Sequence, residues 1–159
     1  MARTPVYSGK VRDIYAAGDD KFLFVASDRI SVFDVVLNEP VPDKGRILTG
    51  MTSYWLGELA DLAPNHMITC HPTAIEAAGV ELEPDDAGRA MLVKKADMLT
   101  VECIVRGYIT GSAWSEYKKS GTMHGSKLPE GIQESDKLPA PVFTPSTKAA
   151  VGDHDINIT

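Results

Sequence analysis

The run Val101-Glu-Cys-Ile-Val-Arg-Gly-Tyr-Ile-Thr-Gly-Ser112 places an acid, an arginine and a hydroxyl where they could hold a small anion. A strand alternates its side chains, so Glu102, Ile104 and Arg106 share one face and Val101, Cys103 and Val105 the other. The Thr110-Gly111-Ser112 turn then opens a helix, with Ser112 in the N-cap position. A helix N-terminus offers unpaired N–H groups and a partial positive charge, to which an arginine adds a planar charged fork. Together they suit a phosphate or carboxylate on a small molecule. A surface arginine beside an ordinary capped helix fits the same residues equally well. Glu102 either pairs internally with Arg106 or orients that arginine or a substrate group.

A second candidate is Ser8-Gly9-Lys10-Val11-Arg12-Asp13. Glycine at a strand start lets backbone approach a phosphate, and Lys10 and Arg12, two apart, point the same way to neutralise it. The spacing is not that of a Walker A loop. Taken alone, the run reads more simply as a turn with a solvated basic face. Asp28, Arg29, Ser31 and Asp34 follow an apolar run, where ligands often bind. In isolation they read as a salt-bridged turn. Thr144-Pro-Ser-Thr-Lys148 and Asp153-His-Asp155 bring polar groups into a loop, but one histidine is weak support for a metal or a base. No Ser-His-Asp triad and no His-Glu-x-x-His motif is legible.

These groups need elements to hold them. Residues 11–16 and 21–27 read as strands joined by Gly18-Asp19-Asp20, a β-hairpin. Residues 35–37 suggest a short strand ended by Pro40 and Pro42. Residues 49–62 have helical periodicity, and the face carrying Met51, Tyr54, Trp55, Leu59 and Leu62 is expected to be core. A short helical turn is expected at 74–78, an acidic surface loop at 81–88 and a strand at 91–95. Residues 96–98 connect into the opening strand. The helix from Ser112 should stop at Gly121, after Lys118-Lys119. Residues 122–148 carry Pro129, Pro139, Pro141 and Pro145 and no clear period, the mark of a functional or disordered loop.

The bulk numbers narrow the class. A chain of 159 residues, 43% hydrophobic and 24% charged, can form one domain with a real core, or one large domain and part of another. Net charge of −6 argues against nucleic-acid binding through a broad basic surface. Cys70 and Cys103 stand far apart in no metal-ligand pattern, which points to a reducing compartment. No window approaches a membrane span and the first residues carry no apolar signal segment. The expectation is a cytoplasmic protein with neither membrane nor nucleic-acid partners.

Four runs, in order along the whole chain, resemble the SAICAR synthetase family. They are Gly9-Lys-Val-Arg-Asp13, Ala26-Ser-Asp-Arg-Ile-Ser31, the Glu102–Ser112 run, and Phe143-Thr-Pro-Ser-Thr-Lys148 with Gly152-Asp-His-Asp155. The Glu-x-x-x-Arg-x-x-x-Thr-Gly-Ser pattern is close to a family signature, and Thr100 stands where that signature usually has proline. The resemblance implies an α+β fold with a small antiparallel, β-rich, nucleotide-binding lobe at residues 1–97. Residues 98–159 would begin a larger α/β lobe that binds substrate, in a two-lobe architecture like that of kinases and ATP-grasp enzymes. It implies a ligase of purine biosynthesis that uses ATP and Mg²⁺ to join L-aspartate to carboxyaminoimidazole ribonucleotide (CAIR).

Carried over, Gly9, Lys10 and Arg12 would cover the ATP phosphates, and Lys95 and Met98 would meet the adenine. Arg106 and Ser112 would take the ribonucleotide phosphate. Glu102, Asp28, Arg29, Ser31, Ser146, Lys148, Asp153, His154 and Asp155 would face substrate. The family's second signature, Asp-x-Lys-x-Glu-Phe-Gly, is absent, so the Mg²⁺ ligands are expected beyond Thr159 and the chain alone is expected to be inactive. The catalytic groups are not assigned. A non-catalytic nucleotide- or ribonucleotide-binding fragment is the alternative. A kinase-like phosphotransferase is weaker, since neither His-Arg-Asp nor Asp-Phe-Gly occurs.

Overall fold

A computed structural model describes residues 3–32, 35–147 and 157–158. The chain forms two compact units, Met1–Asp97 and Met98–Thr159. Both mix helix with antiparallel strands.

The first unit is built on β1 (Tyr7–Ser8), β2 (Arg12–Ala16), β3 (Lys21–Ala26), β6 (Met67–Thr69) and β7 (Ala90–Lys94), in the order β1-β2-β3-β7-β6. Every pairing is antiparallel. The β2–β3 hairpin turns through Gly18 at φ 84°, a left-handed conformation that costs glycine nothing. Alternation along β3 puts Leu23 and Val25 on one face, where they meet Ala90 and Leu92 of β7 and Ile75 from α2 (Pro72–Ala77). Leu23, Ile75 and Leu92 are fully buried, so this face is the core of the unit. A small hairpin, β4 (Ser31–Val32) with β5 (Val35–Val36), follows β3.

Two expectations about this unit need correction. The helix expected at 49–62 is α1 (Lys44–Glu58). It starts earlier because its first turn is capped from a distance: Asp28 accepts a 2.8 Å hydrogen bond from the Gly45 N–H. Its aromatic face is not core, with Met51 53%, Tyr54 59% and Trp55 54% exposed. The helix instead buries Gly45 and Thr49, and the Thr49 hydroxyl donates to the Arg89 carbonyl. Nor is the acidic stretch 81–88 merely a surface loop. Asp86 is buried at the end of a 3-10 turn (Pro84–Asp86), accepts from the Glu83 N–H and pairs with Arg3 at 2.7 Å.

In the second unit the opening run divides into β8 (Val101–Glu102) and β9 (Val105–Tyr108). β8 pairs with β13 (Ser146–Thr147), and β9 with β12 (Lys137–Phe143). α3 (Gly111–Ser120) follows β9 and ends at Gly121, whose φ of 69° and N–H bond to the Tyr117 carbonyl terminate it. Ile109, Ala113, Met123 and Leu138 form the core. The expected structureless stretch contains a hairpin, β10 (Thr122–Met123) with β11 (Ser126–Lys127), and then β12. The prolines concealed β12 because proline cannot donate to a ladder. β12 accommodates Pro139 and Pro141 as an edge strand, paired among the described residues with β9 alone and irregular between Lys137 and Val142.

Candidate functional site

In the first unit, the β1–β2 connection folds tightly on itself. The Gly9 N–H donates to the Arg12 carbonyl at 2.7 Å. A Cβ at Gly9 would lie 3.2 Å from that carbonyl oxygen and 3.3 Å from the Tyr7 ring, so any other residue would crowd the turn. Arg29 reaches under the loop from the end of β3. Its Nη2 donates to the Gly9 carbonyl at 3.0 Å and to Asp13 Oδ1 at 2.9 Å, its Nε to the Lys10 carbonyl at 3.3 Å, and its Nη1 to Asp13 Oδ2 at 3.3 Å. All three guanidinium nitrogens are thereby engaged, and the backbone of the loop is fixed from one side. Burial pushes the Asp13 carboxyl up, but the Arg29 and Ser8 hydrogen bonds and the Arg29 charge outweigh it, holding its pKa below the ordinary 3.8. Gly9, Lys10, Arg12, Asp13 and Arg29 thus form one assembly, in which Lys10 and Arg12 are exposed.

Arg12 lies on the sheet face opposite Leu23, with its guanidinium 5.2 Å from the Phe24 ring. Beside it a cavity of about 90 Å³ opens between the sheet and α1, lined by residues including Arg12, Phe24, Thr49, Thr52, His66 and Arg89. Burial lowers the His66 pKa and the Arg12 charge lowers it further, both favouring the neutral imidazole. Asp28 is held below its ordinary 3.8 first by the Gly45 N–H, with Arg89 adding to the effect. It serves the α1 terminus, while Ser31 sits in β4 opposite Val36. Lys95 places its ammonium 5.5 Å from the Phe22 ring, and its N–H bonds to the Asp20 carbonyl.

In the second unit, burial follows the alternation read from the sequence. Glu102, Ile104 and Arg106 are half-buried while Val101, Cys103 and Val105 are exposed. Arg106 Nε donates to the Thr144 hydroxyl at 3.1 Å, and its Nη2 to the Ser112 hydroxyl at 3.4 Å. It forms no ion pair among the described residues. The N-cap of α3 is Thr110 rather than Ser112, because Thr110 keeps the extended conformation and helical bonding begins at Gly111. Ser112 therefore lies in the first turn with its hydroxyl directed at Arg106. Thr144 is fully buried and ties the arrangement together, its hydroxyl and N–H both bonding to the Ile104 carbonyl. Ser146 is buried in register with Glu102.

Met98 is 86% exposed in the connector. Lys148, Asp153, His154 and Asp155 lie outside the described residues. Among the described residues no group of three or more His, Cys, Asp or Glu could hold a metal ion, and no helix is long and apolar enough to cross a membrane.

Sequence reasoning named Asp13 and Thr144 only as members of their motifs. Their positioning roles depend on Arg29 and Ile104, which no local pattern pairs with them. Glu116 was missed. It accepts from the Thr122 hydroxyl at 3.0 Å, the Gly125 N–H and the Asn157 amide, joining α3 to the hairpin beyond it. Burial raises its pKa, and hydrogen bonds from the His124 N–H, the Thr122 hydroxyl and the Gly125 N–H bring it below the ordinary 4.5.

A family model described as SAICAR synthetase matches residues 5–159. The phosphoribosylaminoimidazole-succinocarboxamide synthase of Trichlorobacter lovleyi is 54% identical over 154 residues, covering 97% of this chain and 52% of the relative. A solved SAICAR synthase from Saccharomyces cerevisiae, complexed with SAICAR, superposes with a TM-score of 0.84 at 43% identity, over 97% of this chain and 52% of that one. A type-2 SAICAR synthetase in complex with ADP shares the fold at a TM-score of 0.72 and 21% identity, over 96% and 54% of the two chains. The chain spans about half the length of the relatives it matches. The Arg106, Thr144 and Ser112 arrangement and the Gly9 loop lie within the matched residues, and the chain belongs to the SAICAR synthetase family.

Proposed function

We propose that this chain carries the N-terminal half of an ATP-dependent ligase that joins L-aspartate to the carboxylate of CAIR, a step of purine biosynthesis. Family membership and the Arg106 geometry support the reading. A carboxylate reacts poorly with an amine because its leaving group would be an oxide. In the proposed reaction a CAIR carboxylate oxygen attacks the γ-phosphorus of ATP and ADP departs. The aspartate amine then attacks the acyl carbon, loses a proton and expels phosphate, leaving the amide.

On this reading the Gly9 turn, held by Arg29, presents its backbone to the ATP phosphates while Lys10 and Arg12 neutralise them. Lys95 and Met98 meet the adenine. Arg106, oriented by the Thr144 hydroxyl, takes the ribonucleotide phosphate with Ser112 at the start of α3, and Glu102 and Ser146 support that side. Asp28, Arg29, Ser31, Lys148, Asp153, His154 and Asp155 shape the substrate loops. Among the described residues no group of three or more His, Cys, Asp or Glu gathers, and no step is assigned to a metal here.

The observation that carries the proposal is Arg106 poised between two hydroxyls beside a helix N-terminus, in a chain of this family. Calorimetric titration of CAIR into the wild type and Arg106→Ala tests it. A loss of affinity on the order of 100-fold is expected for removal of a charged phosphate contact. Equal affinities would place the phosphate elsewhere.

A further inference from the structure

Arg29 is mounted before it reaches the loop. Its own N–H bonds to the Ser27 hydroxyl at 3.4 Å, and the Ser27 N–H bonds to the Val11 carbonyl at 2.9 Å. Its neighbour Asp28 is held twice, its carboxylate by the Gly45 N–H and its carbonyl by the Val41 N–H. From this mount the guanidinium meets the carbonyls of two consecutive residues, Gly9 at 3.0 Å and Lys10 at 3.3 Å. In a planar trans peptide the C=O and the next residue's N–H point in opposite directions. Two carbonyls drawn towards one guanidinium therefore turn the Lys10 and Val11 N–H groups to the other side of the loop. Successive N–H groups turned the same way form a concavity suited to an anion. The Gly9 N–H takes no part, because it donates to the Arg12 carbonyl.

We propose that Arg29 is a positioning residue for the nucleotide phosphates and not a contact to the ribonucleotide or the amino acid. It aims the Lys10 and Val11 N–H groups at the phosphate chain by holding the carbonyls behind them. Two observations separate this role from direct substrate binding. All three guanidinium nitrogens are engaged, so turning to a substrate anion would release the Gly9 and Lys10 carbonyls together. Its charge is also already met by Asp13, 2.9 Å away, and Asp13 is fixed in turn by the Ser8 hydroxyl. The charge offered to phosphate comes instead from Lys10 and Arg12, which are exposed. A planar fork is required, because a compact ammonium does not span two carbonyls and a carboxylate at once. The inference deepens the reading of the Gly9 turn as the nucleotide loop and rests on it.

The test follows the backbone amide signals of the 159-residue chain by heteronuclear NMR as ATP is added, with CAIR titrated in parallel. Wild type, Arg29→Lys and Arg29→Ala are compared. In the wild type the Lys10 and Val11 amides should shift with ATP. Arg29→Ala should bind ATP on the order of 10-fold more weakly, with CAIR affinity unchanged. Guanidinium ion, added to Arg29→Ala well below denaturing concentrations, should restore both the ATP affinity and the two amide shifts. A residue needed only for folding would give no such nucleotide-specific rescue. Unchanged ATP affinity in Arg29→Ala overturns the proposal. So does full affinity in Arg29→Lys, which would show that charge alone suffices. Loss of CAIR affinity with ATP affinity intact also overturns it and assigns Arg29 to the substrate. If Arg29→Ala does not fold, Asp13→Asn takes its place, since it removes the anchor of the guanidinium. Weaker ATP binding then supports the proposal and unchanged binding overturns it. A wild type that gives no response to ATP overturns the nucleotide-loop reading and this inference with it, a result distinct from a response that survives the variants.

Discussion

Arg106 depends on Thr144, a fully buried hydroxyl that accepts from the guanidinium and donates to the Ile104 carbonyl. Thr144→Val keeps the shape but leaves Arg106 Nε and the Ile104 carbonyl each without this partner. A stability loss of about 1–2 kcal/mol is expected, with weaker CAIR binding at unchanged fold, checked by urea unfolding and titration. Asp13 gives a pH signature. Its folded pKa lies below the unfolded 3.8, so its stabilisation is complete above that value and is lost as pH falls through the folded one. Melting curves should show Asp13→Asn less stable than the wild type at pH 7, with the two converging as pH falls through the folded value. Parallel curves down to acid unfolding would mean that the Arg29 pairing contributes nothing.

At the scale of elements, α1 is set by a residue it does not contain. Asp28 caps it from the end of β3, and Gly45 lets the two backbones approach. A Cβ at Gly45 would lie 2.6 Å from the Ala26 carbonyl oxygen and 3.2 Å from Asp28 Oδ1. Gly45→Ala should therefore cost roughly 2–3 kcal/mol and displace the helix from the sheet, measured by thermal unfolding and helical circular dichroism. This long-range cap is why periodicity placed the helix at 49–62. Asp43 stands in the N-cap position, but in a left-handed conformation and with no side-chain cap bond, so the hold on the first turn comes from Asp28 instead. By contrast the β2–β3 hairpin, α2 and the Gly121 stop were legible, each being fixed by glycine and apolar alternation within a few residues. β6 was not: at three residues it shows no period of its own and exists through pairing with β7. The candidate site was legible as motifs, while the contacts that orient them, Arg29 with Asp13 and Arg106 with Thr144, join residues far apart in sequence.

For the whole molecule, the division into Met1–Asp97 and Met98–Thr159 falls in a segment where residues 94–100 are all exposed. Brief trypsin treatment should cut first after Lys94 or Lys95 and release two fragments resolvable by mass spectrometry. First cuts within α3, at Lys118 or Lys119, would show instead that the second unit opens more readily than the connector. The prolines of β12 bear on how the molecule behaves in a crowd of its own kind. A two-stranded ribbon with Val105, Tyr108 and Phe143 exposed is an invitation to strand-by-strand growth between copies. Pro139 and Pro141 withhold two N–H donors from β12, so stacking on that edge of the ribbon is hindered where it begins.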